Sequence, residues 1–281
     1  MILKVLKIFR PLNLFIIALS QLLTFYFLAQ SSQSFIYIIV LTIGTCSIAA
    51  AGYLINDYFD VQRDALNNKT KEALAFLRNN KLFWLIYILL NLVGLLAAWM
   101  IQFKLIYIFV VIQLLLFVYS YSWKDLPILG NVTISTIVAL AILLVRWVHP
   151  DLKLNLLLFY SLFAFFSTWI REMIKDIEDF AGDSEVGSRN LIQLMGIKKS
   201  LFLIRILILF VLATLFTSWE LIGSFFHAPL SWVVLIYGLV CIVLPMVFQL
   251  IISYQNYPNY KLMSTLSKYA MITGILSMLF F

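Results

Sequence analysis

Apolar residues fall in nine runs of spanning or near-spanning length, at roughly 11–29, 35–56, 82–101, 105–122, 131–148, 154–171, 200–219, 229–252 and 262–281. A bilayer's hydrocarbon core demands about 20 such residues of a helix that crosses it. The runs therefore predict an all-α, polytopic membrane protein of nine transmembrane helices. Composition agrees, with 63% hydrophobic residues, 12% charged residues and a mean hydropathy of +1.01. No soluble domain and no separating linker can be drawn, so residues 1–281 read as a single domain. The first run follows Lys4, Lys7 and Arg10. It is too long for the apolar region of a signal peptide and lacks an A-x-A cleavage site, so it is kept as a span. Cys46 and Cys241 both lie in apolar stretches and read as packing residues.

Charge orients the spans. The N-terminus and the connections 57–81, 123–130, 172–199 and 253–261 hold most of the lysine and arginine, whereas the opposite side has Lys104 and Lys153, with Arg146 near a helix end. The positive-inside rule then puts the N-terminus on the cytoplasmic side of the cell membrane, and the odd number of spans puts the C-terminus on the other. Basic loops on an anionic leaflet account for the net charge of +7, so the bilayer is the expected partner and nucleic acid is not.

Acidic residues are distributed still less evenly. Of thirteen Asp and Glu residues, four lie in 57–81 and six in 172–199. Carboxylates do little to set topology, so this concentration points to chemistry. Asn56-Asp57-Tyr58-Phe59-Asp60-Val61-Gln62-Arg63-Asp64 closes the second span. On a helix, Asp57, Asp60 and Asp64 (i, i+3, i+7) share an arc of roughly 60°, with Asn56 beside them. The spacing recurs in Asp176, Asp179 and Asp183, at the end of the sixth span. There Glu172 joins the face, Glu178 points away from it, and Arg171 and Lys175 flank the acids. Two like-charged stripes on one side of the membrane predict a positive ligand between them. Their oxygen donors suit a hard cation, most plausibly Mg2+, held by Asn56, Asp57, Asp60, Asp64, Asp176, Asp179 and Asp183.

Such a site above an apolar bundle suits a substrate with a polyphosphate head and a hydrocarbon tail, and an isoprenyl diphosphate fits. Arg63, Lys69, Lys124, Lys175 or Arg189 could neutralise the rest of the diphosphate charge. Aromatic faces could stabilise an allylic cation, with Tyr53, Tyr58, Tyr119, Tyr121 and Trp169 as candidates. His149 reads as interfacial and His227 as a loop residue.

These residues resemble the UbiA-type intramembrane prenyltransferases. Asn56-Asp57-x-x-Asp60-x-x-x-Asp64 is similar to that family's first motif, and Lys175-Asp176-Ile177-Glu178-Asp179-x-x-Gly182-Asp183 to its second. The stretch Tyr119-Ser120 to Lys124, Gly130-Asn131, and Arg10-Pro11 with Asn13 also resemble family positions. The resemblance implies a helical bundle around a central cavity open toward the cytoplasm, and Mg2+-dependent prenyl transfer with release of diphosphate. It makes Asp57, Asp60, Asp64, Asp176, Asp179 and Asp183 catalytic. Asn13, Asn56, Arg63, Lys69, Tyr119, Lys124 and Lys175 become substrate-binding. The second motif is most similar to the branch whose hydrophobic acceptor is geranylgeranylglyceryl phosphate; other branches prenylate aromatic quinone precursors or heme. Two departures stand out. Asn68-Lys69 is followed by Thr70-Lys71-Glu72-Ala73 where the family commonly has proline and arginine, and Asn190 and Ile192 replace the usual Thr and Pro. They keep open a catalytically silent relative that binds prenyl lipid. A cation-coupled transporter is the reading from a different class, but transporters place such carboxylates near mid-membrane.

Overall fold

The computed structural model describes residues 7–28, 35–66, 81–185, 187–217 and 230–280. The helices are α1 (Pro11–Leu28), α2 (Phe35–Phe59), α3 (Val61–Leu66), α4 (Lys81–Ile101), α5 (Phe103–Tyr121), α6 (Leu129–Leu143), α7 (Val145–Val148), α8 (Leu154–Glu178), α9 (Phe180–Glu185), α10 (Leu191–Thr217), α11 (Leu230–Gly238), α12 (Leu244–Ser253) and α13 (Tyr260–Leu276). Among the described residues there is no strand. Nine helical stretches there are long and apolar enough to cross a membrane; α6 with α7 makes one of them, and Trp232–Ser253 another. The protein is an all-α, multi-pass membrane protein. Its outer surface agrees: Leu85, Ile88, Leu92, Leu96 and Trp99 of α4 are all exposed, a face suited to lipid and not to water.

Two spans run past their expected ends. The second reaches Phe59 instead of 56, and the sixth reaches Glu178 instead of 171, so the helices carry their acidic motifs as extensions. The seventh begins at Leu191 instead of 200 and kinks at Gly196, whose φ of 77° only glycine adopts easily. In the eighth, Pro245 has no N–H for the carbonyl of Cys241. The backbone widens to a π-turn over Leu239–Val243, and the Thr273 hydroxyl donates to that carbonyl at 2.7 Å.

Helix α8 is the axis of the bundle. Its first half, with Leu156, Leu157 and Tyr160, belongs to a core built with α1, α2 and α5. Its second half, with Ile170, Met173, Ile174 and Ile177, belongs to a second core with α10, α12 and α13. Lipid offers no hydrophobic drive between helices, so close packing and buried polar contacts must hold them together. Thr45 donates to Gln21 and Gln21 to the Ala141 carbonyl, both at 2.8 Å, which links α1, α2 and α6. Gln249 donates to the Met263 carbonyl at 2.6 Å, which links α12 and α13.

Small residues set the closest approaches. A Cβ added at Gly94 would stand 2.5 Å from Ile48, and one at Gly44 would stand 2.6 Å from Ala97. Helices α2 and α4 thus touch backbone to side chain. Gly94→Val is expected to destabilise the fold by about 1–3 kcal/mol through overpacking, read as a lower thermal midpoint in detergent. An unchanged midpoint would show that α4 moves outward at no cost.

Candidate active site

Both acidic motifs are built alike. A long span runs to the residue before the middle aspartate, the chain turns on Asp60 or Asp179, and a six-residue helix, α3 or α9, carries Asp64 or Asp183. Neither stripe is therefore one unbroken helix, as the spacing alone suggested. The i to i+4 backbone bonds nonetheless continue through the turns: Asp60 donates to Asn56 and Asp64 to Asp60, as Asp179 does to Lys175 and Asp183 to Asp179. The spacing survives because those bonds survive. Helices α3 and α9 pack on each other, which brings the two motifs together.

Arg63 on α3 joins them. Its guanidinium lies 3.4 Å from Asp60 and 3.0 Å from Asp183, and it also pairs with Asp125 in the turn after α5. Lys124 of the same turn donates to Asp60 at 2.5 Å. A Cβ at Gly130 would stand 3.0 Å from the Lys124 backbone, so glycine there allows α6 to pack beneath the lysine. Asn56 donates its amide to Asp60 at 2.7 Å, leaving the amide oxygen for another partner.

One turn deeper, Asp57 is 1% exposed and accepts from Arg10 at 3.0 Å. Arg10 lies over the Tyr53 ring, 4.8 Å from its centroid, and Asn13 shares a hydrogen bond with the Tyr53 hydroxyl. Arg10 has a left-handed φ of 50°, a strained state held by these contacts and by the bonds its carbonyl accepts from Asn13 and Leu14. On α6 and α8, Asn131 donates to Asp176 at 2.8 Å, while Lys175 donates to Glu172 at 3.0 Å and Arg171 also pairs with Glu172. Lys175 thus stands with Glu172 and not with the Asp60 group. Tyr119 is buried within the field of Glu172, Asp176, Asp60 and Arg10. Of the other aromatic candidates, Tyr121 is 67% exposed and Tyr58 packs on Phe83 and Trp84, so neither faces the site. Glu178 is exposed, and Lys69 lies outside the described residues.

Some partners had no signal in the motifs. Asp125 lies outside both, yet it takes one face of Arg63. Asn190, a departure from the family pattern, donates to Asp183 at 2.8 Å and accepts from the Gln193 N–H, capping α10. That position keeps a use despite its changed identity. Lys268 carries no motif at all, but it sits within the field of Arg171, Lys175, Glu172 and Arg10. A lone lysine two turns inside an apolar span was the signal that could have found it. His149, read as interfacial, is instead buried edge-on to Phe25 at the opposite end of the bundle.

The oxygen donors fit a divalent cation in kind and in charge. Burial pushes the Asp183 carboxyl up to about 6; Arg63 opposes this, and Asp179, Asp125 and Asp60 add to it. The cluster holds more negative charge than its cations offset. Among the described residues no three Asp, Glu, His or Cys side chains converge on one point. This suits Mg2+, which takes one or two carboxylates and fills its remaining positions from water and substrate phosphate. Below the charged groups, Ile17, Val138, Ile142, Tyr160, Phe163 and Ile275 line an apolar cavity between α1, α6, α8 and α13.

Because its carboxyl is raised, Asp183 costs the fold nothing below about pH 4, and its ionisation costs stability as pH rises through about 6. Asp183→Asn keeps an oxygen for Asn190. In divalent-free detergent at pH 7.5 it is expected to stabilise the protein by about 1–3 kcal/mol, a gain that shrinks between about pH 6 and 4. A lower thermal midpoint at pH 7.5 would show that Arg63 depends on the Asp183 charge.

The family profile described as the UbiA prenyltransferase family matches residues 18–270. Over 168 residues the chain is 33% identical to a digeranylgeranylglyceryl phosphate synthase of Pyrococcus horikoshii, covering 60% of this chain and 59% of that relative. It is 28% identical to the protein of the same name from Methanosphaera stadtmanae, over 72% of each chain. A solved structure reported for digeranylgeranylglyceryl phosphate synthase in membranes superposes with a TM-score of 0.70 at 20% identity, covering 99% of this chain and 98% of that one. A UbiA homolog from Archaeoglobus fulgidus, bound to GPP and Mg2+, gives 0.68 at 16% identity, covering 98% and 99%. At these identities the structures show a shared fold.

Proposed function

We propose that this chain, which belongs to the UbiA prenyltransferase family, transfers a prenyl group from an isoprenyl diphosphate to the hydroxyl of a prenylglycerol phosphate and releases diphosphate. One observation carries the reading: two identically spaced acidic motifs, joined through Arg63, stand together at one end of an apolar bundle. The relatives named as digeranylgeranylglyceryl phosphate synthases support the acceptor. The basic loops support a cytoplasmic mouth and N-terminus, with the whole chain working as one domain.

Asn56, Asp60 and Asp64 on one side, with Asp179 and Asp183 on the other, would hold Mg2+. When bound, the ion offsets the charge of the departing diphosphate. Arg63 and Lys124, now engaged by Asp60, exchange that carboxylate for phosphate oxygens and hold them by charge-assisted hydrogen bonds. The small apolar cavity marks where the bundle would widen to take the prenyl tail and keep water from the reacting carbon. As the C–O bond to diphosphate breaks, the leaving oxygen keeps the electron pair, and the Tyr119 ring faces the allylic cation. The acceptor oxygen then bonds to that carbon and gives up its proton. Asp176 is the base of choice, because it is held by the neutral amide of Asn131, whereas Glu172 is held by two cations.

Diphosphate release from geranylgeranyl diphosphate by purified protein should require both Mg2+ and the prenylglycerol phosphate. Asp60→Asn should reduce it on the order of 100-fold or more, with the fold intact. Release that persists in EDTA, or that survives Asp60→Asn, would exclude this chemistry.

A further inference from the structure

Four basic residues stand away from the Arg63 and Lys124 group. Arg10 is matched by Asp57, whereas Arg171, Lys175 and Lys268 have Glu172 and Asp176 among them, one carboxylate short. The Nε of Arg171 is buried with no hydrogen-bond partner, and Lys268, half-buried, has no ion pair among the described residues. These residues are not topology-setting loop charges. Arg171 lies seven residues inside the end of α8 and Lys268 eight residues inside the start of α13, about 10–12 Å along each helix. Six residues further into α13, Gly274 holds the two helices together, since any Cβ would overlap the Phe163 ring. Surplus positive charge packed between two helices calls for an anionic partner.

We infer that Arg171, Lys175 and Lys268 form a second anion site, separate from the diphosphate site, that binds the phosphate monoester of the acceptor lipid. The inference rests on the proposed prenylglycerol phosphate acceptor and assigns its headgroup. Tyr119 lies between the two sites, within the field of Asp60 on the donor side and of Glu172 on this one. A phosphate seated at Lys268 holds the glycerol hydroxyl a few bonds away, toward Asp176 and the reacting carbon. The surplus charge discriminates against an acceptor without phosphate, because one basic group would then stay without an anionic partner.

The test uses the full-length protein in detergent, with two readouts. In turnover, Lys268→Met should raise the KM for geranylgeranylglyceryl phosphate by about tenfold or more and leave the KM for geranylgeranyl diphosphate unchanged. Lys268→Arg should restore most of the affinity, and Lys261→Gln, an exposed position on the same helix, should change neither constant. In binding, wild-type protein should prefer lysophosphatidic acid over monoacylglycerol of the same chain, and Lys268→Met should abolish that preference. A donor KM that rises as much as the acceptor KM, or wild-type protein indifferent to the lipid phosphate, would overturn the second site. Turnover with an aromatic acceptor alone would overturn the acceptor reading, while a phosphate preference lost in Lys268→Met would still establish the anion site.

Discussion

Arg63 is the contact on which the polar end of this protein depends. It comes from the helix after the first motif, reaches Asp183 of the second, and takes Asp60 and Asp125 as well. Without a cation between them, two carboxylate stripes would push the halves of the bundle apart. With one, the repulsion becomes the cohesion of the site. An arginine suits this because its planar fork serves several carboxylates at once, which a lysine cannot do. The same crowding leaves Asp183 only partly compensated, so the arrangement is poised for more positive charge than the chain itself supplies.

Beneath that polar layer the bundle follows the rules of helices in lipid. Close contacts at Gly44, Gly94 and Gly274 replace a hydrophobic drive, and buried glutamines tie neighbouring spans. Helix α8 runs through both cores and emerges as the second motif, so packing along its length sets where Arg171, Glu172, Lys175 and Asp176 stand. Function at one end is thus held by apolar contacts along the whole span.

Much of this was legible in the chain. Nine apolar runs foretold the nine candidate spans among the described residues, and the i, i+3, i+7 aspartates foretold the two motifs that folding brings together, because both signals are local and periodic. The ends of the spans were misjudged where charge appeared: the sixth was drawn to 171, yet counterions and amides keep Glu172 and Asp176 on α8. Asp125, Asn190 and Lys268 gave no local signal. Each matters through a partner distant in the chain that only folding brings near, Asp125 through Arg63 and Lys268 through Arg171, and the departure at Asn190 keeps a use in its bond to Asp183.

Membrane class, helical architecture, the two motifs and the kind of ligand their oxygens would accept were all legible in the order of residues. These follow from hydropathy, backbone hydrogen bonding and donor chemistry, which need no knowledge of neighbours. Tertiary structure alone decided that Arg63 closes the pair of motifs, that Asp57 belongs to Arg10, and that Lys268 joins Arg171 and Lys175 in a patch of surplus positive charge. Pairing of charges depends on distance across helices, and distance across helices is set by packing.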